Sequence, residues 1–275
     1  MTYPPVSCMC LTFARPKRLL EEAVYSFLNQ DYPGDKELLI LNDFQQQTIA
    51  FEHPQVTVVN VPARFRTVGE KRNAAAAMCR HDLVALWDDD DICLPHRLSF
   101  SISKYDEKKR FFKPSKAFVL NHGVISGPDA EGYHAACMWH RSLFDEVGGY
   151  AHMGSGEDKD IEARFEEVIG GGKNYDAIKL CEIYYLYRWS GTQSYHLSGF
   201  GRDGSGRSGN DKVMEYALGQ LEQGRIQAGE IALVPQWSVD YSQLVREYVA
   251  AWPQGAGAGS GGADAGNRAP AETVK

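Results

Sequence analysis

The apolar positions of this chain gather into short unbroken runs, separated by stretches where they recur every third or fourth residue. "VSCMCLTF" (6–13), "ELLILND" (37–43), "VTVVNV" (56–61) and "LVALW" (83–87) have the length of strands. Apolar side chains at nearly every position of such a run predict strands covered on both faces. Between the first two, "ARPKRLLEEAVYSFLNQDYPG" puts Pro16 near the first helical position and sets Leu19, Leu20, Ala23, Val24, Phe27 and Leu28 on one helical face, before Tyr32-Pro33-Gly34 stops the helix. "VGEKRNAAAAMCRH" (68–81) is an alanine-rich helix of the same kind. Short buried strands joined by crossover helices predict an α/β fold, a three-layer α/β/α sandwich with a mostly parallel central sheet. Its ligands collect at the carboxyl ends of the strands.

Further along the pattern becomes mixed. "LPHRLSFSISKY" is helical, "KAFVLNHGVI" and "HAACMWHR" read as strands, "GEDKDIEARFEEVI" (156–169) as an acidic helix and "AIKLCEIYYLYRW" (177–189) as strand-rich. A Gly/Ser-rich loop at 191–210 is far longer than an ordinary connection and reads as a lid, and the Gly/Ala-rich tail at 254–275 has almost nothing to bury. A single domain over 1–253 is therefore expected, with a first half at 5–125 and a second at 126–253.

Charge and cysteine content narrow the class. The formal net charge of -7 gives no overall field toward nucleic acid or an anionic membrane. The six cysteines show no paired CxxC spacing and sit mostly in apolar segments, as reduced, buried thiols of a cytoplasmic protein do. Neither a run of membrane-spanning length nor a leader-like start is present in the sequence.

Candidate chemistry centres on "LVALWDDDDICLP", where four carboxylates in a row follow a buried strand. Adjacent like charges resist desolvation unless a cation shares the site. In an extended segment Asp88 and Asp90 point together while Asp89 points away. Such a pair supplies hard oxygen ligands for Mg²⁺ or Mn²⁺. A solvated turn is the plain alternative. An EF-hand is excluded, because Ile92 and Cys93 stand where an oxygen ligand and a glycine are required.

Four motifs taken together, "VSCMCLTFARPKRLLEEAVYSFLNQDYPGDKELLILND", "GEKRNAAAA", "LVALWDDDD" and "GEDKD", resemble in order and spacing glycosyltransferase family 2 on the GT-A fold, over residues 5 to 190. The resemblance implies a nucleotide-diphosphate-sugar donor, with a UDP-sugar favoured, a divalent metal (Mn²⁺ or Mg²⁺) and inversion at the anomeric carbon. It places Thr12, Phe13, Arg15 and Asp43 around the base and ribose, and Gly69, Lys71 and Arg72 beside the donor at a helix N-terminus suited to anions. Asp88 then contacts donor and metal, and Asp90 the metal. Family members commonly carry two acids followed by Gly-Ser where this chain has Asn42-Asp43-Phe44-Gln45.

The family's catalytic base opens a helix downstream of the metal motif, which implies Asp158 first and Glu157 second. A carboxylate at a helix N-terminus is stabilised as the anion, the form a base needs. His196 in the long loop is a candidate third metal ligand, and Arg202 and Arg207 are candidate phosphate clamps. Arg188-Trp189 is similar to the QxxRW motif of processive members, but position 185 is Tyr, so a polymerising enzyme is not inferred. His122, His134, His140 and His152 receive no role. The acceptor is a hydroxyl of unspecified class: a glycan, a glycolipid head group, a protein side chain or a modified DNA base.

Three rivals remain. A haloacid-dehalogenase-type phosphatase would carry its Asp-x-Asp near the domain start, and a nucleotidyltransferase would want glycines in "TFARPKR". A binding module without turnover would bind donor and transfer nothing.

Overall fold

The computed structural model describes residues 3–129, 133–170, 177–188 and 209–252. Its central sheet has six strands in the order β4-β2-β1-β5-β10-β7: β4 (Val56–Asn60), β2 (Lys36–Asn42), β1 (Val6–Thr12), β5 (Leu83–Leu86), β10 (Met138–His140) and β7 (Phe111–Phe112). The first four are parallel, with Val6 opposite Lys36 on one side and Leu83 on the other, and β10 joins antiparallel with Met138 opposite Ala85.

Alternation along the strands divides the interior in two. Cys8 and Cys10 of β1, Leu38 and Ile40 of β2 and Ala85 of β5 face one core, with Leu20, Val24 and Phe27 of helix α1 (Lys17–Leu28). Met9, Leu39, Leu41, Val84 and Leu86 face the other, with Ala75 and Ala76 of α2 (Val68–Met78) and Ile161 and Phe165 of α5 (Glu157–Ile169). A period of two on a strand buried on both faces produces the three layers expected of the chain. Among the described residues, β1, β2 and β5 all end at one edge, where Thr12, Asn42 and the Asp88–Asp91 turn follow.

A second sheet, in the order β6-β11-β8-β9, covers that edge: β6 (Ile92–Cys93), β11 (Tyr185–Arg188), β8 (Ala117–Asn121) and β9 (Val124–Asp129). Here the expected elements shift. "KAFVLNHGVI" is a hairpin rather than one strand, because His122 and Gly123 both take positive φ (48° and 81°) and reverse the chain. "HAACMWHR" begins with a 3-10 turn, His134–Ala136, and extends only at β10. "AIKLCEIYYLYRW" turns through a second 3-10 segment, Leu180–Glu182, and forms a strand only at β11. The helices α3 (Arg97–Lys104) and α4 (Arg141–Glu146) are short. Four elements not foreseen are the strands β3 (Gln47–Ala50) and β12 (Gly229–Ala232), which pair in parallel, and the helices α6 (Gly209–Glu222) and α7 (Tyr241–Ala250). Thus the last two residues of the loop expected at 191–210 are helical. The tail at 254–275 lies outside the described residues. Of the six cysteines, all are free and only Cys181 is exposed. No helix among the described residues is long and apolar enough to cross a membrane.

The later elements are held on α1 by Glu21, which accepts from the Val234 N–H at 2.7 Å, by Ser26, and most extensively by Glu22. Glu22 is fully buried and meets Arg188 at 2.5 Å, while Tyr241 donates its hydroxyl at 3.1 Å and Ser238 its backbone N–H at 3.1 Å. Removing one member of a buried pair leaves its partner charged and unmatched. Glu22→Ala is therefore expected to lower unfolding stability by about 3–5 kcal/mol in urea titrations, and Glu22→Gln by clearly less. A loss under about 1 kcal/mol for the alanine variant would show the pair to be dispensable.

Candidate active site

The carboxyl edge of the central sheet opens into a cavity of about 580 Å³, lined by the ends of β1, β2 and β5, the head of α2, the head of α5 and β11. The acidic turn forms its floor. Arg97, itself buried, anchors both ends of that turn: its guanidinium donates to the Leu86 carbonyl, to the Ala135 carbonyl (2.9 Å) and to Cys93 Sγ (2.7 Å), over the Trp87 ring at 4.5 Å.

Each acid of the turn has its own surroundings. Asp89 is buried and receives Arg15 through Nε at 2.8 Å and Nη2 at 2.7 Å, and Arg15 Nη1 reaches Asp90 at 2.9 Å. Asp91, also buried, accepts from the Arg188 backbone N–H at 2.6 Å and from the Tyr185 hydroxyl. Carboxylate oxygens of Asp88, Asp90 and Asp91 lie within 4.8 Å of one another. Burial, and then the charges of Asp90 and Asp88, hold the Asp91 carboxyl well above the usual carboxylate range. Three converging hard oxygens under mutual repulsion are a donor set that fits Mg²⁺ or Mn²⁺.

Asp88 and Asp90 do converge, but outside the strand, and Arg15 pairs with both Asp89 and Asp90. Asp91 was missed, because the segment leaves the strand after Leu86 and a turn brings the fourth acid back beside the first. The only signal for it was the length of the acidic run. His196, Arg202, Arg207 and Trp189 lie outside the described residues.

The expected donor residues are gathered at the same edge. Thr12, Phe13, Arg15, Asp43, Lys71 and Arg72 all line the cavity. Lys71 Nζ bridges two strand ends, donating to the Thr12 carbonyl at 2.6 Å and to Asp43 at 2.5 Å; the other Asp43 oxygen accepts from the Phe65 N–H at 3.1 Å. Burial lowers the Lys71 pKa, and the Asp43 charge opposes this. Phe13 packs edge-on against Phe44 at 5.0 Å, with the Arg64 guanidinium 4.1 Å over its ring. Arg64 was not singled out from sequence, where a lone arginine in a loop carries no signal.

Gly69 is placed differently from the other motif residues. It is absent from the cavity wall, and a Cβ built on it would stand 1.9 Å from the Ala151 carbonyl oxygen. Its N–H donates to the Met153 carbonyl at 3.2 Å, and Asn73 exchanges two 2.8 Å bonds with the Tyr150 backbone. Glycine here lets α2 and the 150–153 segment approach.

That segment leads into α5. Both Glu157 and Asp158 line the cavity, but Glu157 is buried and paired with Arg72 at 3.1 Å, whereas Asp158 accepts from the Lys159 N–H at 2.8 Å. Behind them runs a chain of polar groups. The Arg72 guanidinium lies 5.4 Å over the Tyr150 ring, and the Tyr150 hydroxyl meets His134 Nε2 at 2.9 Å. His134 Nδ1 meets Glu162 at 2.7 Å, and Glu162 meets Lys113 at 2.7 Å. His134, given no role from sequence, lines the cavity.

Residues 8–117 match the family model described as Glycosyl transferase family 2, so the resemblance read from the motifs holds. Among solved structures, S. aureus TarS 1-349 has a TM-score of 0.50 at 12% identity, over 78% of this chain and 70% of that chain. The same fragment in complex with UDP gives 0.48 at 14%, covering 78% and 71%. A longer S. aureus TarS chain gives 0.47 at 13%, over 78% of this chain and only 42% of that one. No curated protein matches. The fold is of the GT-A type, and within it residues 8–117 are similar to glycosyltransferase family 2.

Gly69→Ala is expected to lower stability by about 1–3 kcal/mol through overpacking against Ala151, read as a fall in the urea midpoint. Nucleotide affinity of the remaining folded protein should stay near wild type. Unchanged stability with lost nucleotide affinity would return Gly69 to the donor site.

Proposed function

We propose that the protein is a metal-dependent, inverting glycosyltransferase that moves a hexosyl group from a nucleotide-diphosphate sugar, a UDP-sugar first, to a hydroxyl. One observation carries this: Asp88, Asp90 and Asp158 line a single cavity with Thr12, Phe13 and Asp43, and an Asp91 oxygen lies within 4.8 Å of those of Asp88 and Asp90.

In this reading the donor's nucleoside lies along the ends of β1 and β2, against Phe13 and Asp43. Lys71 keeps those two strand ends together, and Arg15 orients Asp89 and Asp90. A divalent cation on Asp88, Asp90 and Asp91 would supply charge stabilisation for the departing diphosphate. Asp158 accepts the acceptor's hydroxyl proton as the oxygen bonds to the anomeric carbon and the carbon–oxygen bond to the diphosphate breaks. Asp158 stands in the first turn of α5, at the positive end of the helix dipole. Glu157, committed to Arg72, is a positioning residue in this scheme.

The test is thermal stability with UDP, GDP, CDP or dTDP, with and without Mn²⁺, on wild type and Asp90→Asn. A nucleotide at a hundredfold excess over its Kd should add about 2.7 kcal/mol, with metal and in wild type only. Absence of stabilisation by all four would overturn the donor assignment. Asp158→Asn is expected to keep nucleotide binding and lose about 10²–10⁴-fold in transfer. Near wild-type transfer by that variant would remove Asp158 as the base.

A further inference from the structure

Three tyrosines line the cavity where the second sheet meets it. Tyr133 and Tyr187 stack with ring centroids 4.4 Å apart and planes within 15°, and Tyr185 lies 6.1 Å from Tyr133. Tyr185 and Tyr187 share one face of β11, two positions apart. The Tyr185 hydroxyl is committed to Asp91, so this wall begins at the acidic floor. It continues through Tyr133 to His134, whose contacts lead by way of Tyr150 and Arg72 to Glu157, the residue before Asp158. Phe13, Phe44 and Arg64 form a separate aromatic group at the ends of β1 and β2. The cavity therefore has two aromatic walls. The donor's nucleoside, in the reading above, uses the first.

The second wall calls for a ligand with a flat or weakly polarised face, since a tyrosine ring presents negative charge above its plane. A nucleobase and the C–H face of a sugar ring both qualify. Charge separates them. Arg15, Arg64, Lys71, Arg72 and Lys159 line the cavity as well as Asp88, Asp90, Glu157 and Asp158, but the charges that act on Tyr187 are those of Asp91, Asp90 and Asp88, and the chain's net charge is -7. A nucleic-acid strand would bring its phosphates against these carboxylates, where binding such strands relies on cationic grooves. A neutral sugar ring instead places C–H bonds on the tyrosines and offers hydroxyls to the acids.

We propose that Tyr133 and Tyr187 are the platform of an acceptor subsite and that the acceptor is a sugar ring, so that the product is a glycosidic bond between two sugars. The proposal rests on the glycosyltransferase reading. One acceptor hydroxyl gives its proton to Asp158, its oxygen bonds to the donor's anomeric carbon, and the electron pair of the broken bond leaves on the nucleoside diphosphate.

The experiment follows nucleoside diphosphate release from UDP-, GDP- and dTDP-hexoses with Mn²⁺. The acceptors are a panel of methyl hexopyranosides, a serine-containing peptide, and an oligonucleotide carrying 5-hydroxymethylcytosine. At least one methyl glycoside should raise release above the rate in water, and the peptide and oligonucleotide should not. Tyr133→Ala and Tyr187→Ala should raise the glycoside KM about tenfold, a stacking-sized effect, while Tyr133→Phe and Tyr187→Phe stay within about twofold. Stabilisation by nucleotide with Mn²⁺ checks that each variant is folded. Stimulation by the oligonucleotide or peptide alone overturns the sugar acceptor. So does failure of every glycoside in a wild type that still binds nucleotide with metal, and an unchanged KM in both alanine variants removes the platform. Loss of nucleotide binding in the wild type would instead mark failure of the donor reading, and would take this proposal with it.

Discussion

Four consecutive carboxylates, Asp89 and Asp91 buried and Asp88 and Asp90 half-buried, dominate the architecture around them. Their repulsion is answered side chain by side chain: Arg15 for Asp89 and Asp90, a backbone N–H and a tyrosine hydroxyl for Asp91, and the buried Arg97 clasping the chain before and after the run. None of these cations is a neighbour in sequence. Arg15 comes from beyond β1, Arg97 from α3, and the Asp91 partners from β11. The acids stay at the edge of the central sheet because elements from across the chain converge there to compensate them.

The same edge separates two kinds of basic residue. Lys71 is spent inside the protein, tying Thr12 to Asp43, and Arg72 is spent on Glu157. Both belong to one turn of α2, with Gly69 allowing that turn to dock against Ala151. The "GEKRN" motif thus works first as a fastener between strand ends, loop and α5. In doing so it sets the walls within which Glu157 is paired with an arginine and Asp158, among the described residues, is not.

The first half of the fold was legible because its strands are apolar at nearly every position and its helices carry a clear apolar face, as in β1 and α1. The GT-A architecture and the family segment followed from those patterns and the motif order. Less could be read beyond residue 110. His122 at positive φ reverses a run that looks like one strand, and β3 and β12 pair across some 180 positions with no local signal. In the site, the Asp88 and Asp90 pair was picked out as an Asp-x-Asp spacing, although the turn after Leu86 rather than a strand brings it and Asp91 together, and Arg64 comes from a loop. The tyrosine pair brings together Tyr133 and Tyr187, which no sequence spacing relates. His134 was passed over because a histidine's worth depends on what faces both ring nitrogens.

The bond from the Arg188 backbone to Asp91 spans 97 positions, and the Tyr185 hydroxyl reaches the same acid from 94 away. Contacts so distant in the chain form only after the intervening loops have been closed, at an entropic cost that local helices and neighbouring parallel strands largely avoid. The Asp91 contacts therefore depend on β11 being docked beside β6 and β8, so whatever loosens that small sheet reaches the acidic turn directly.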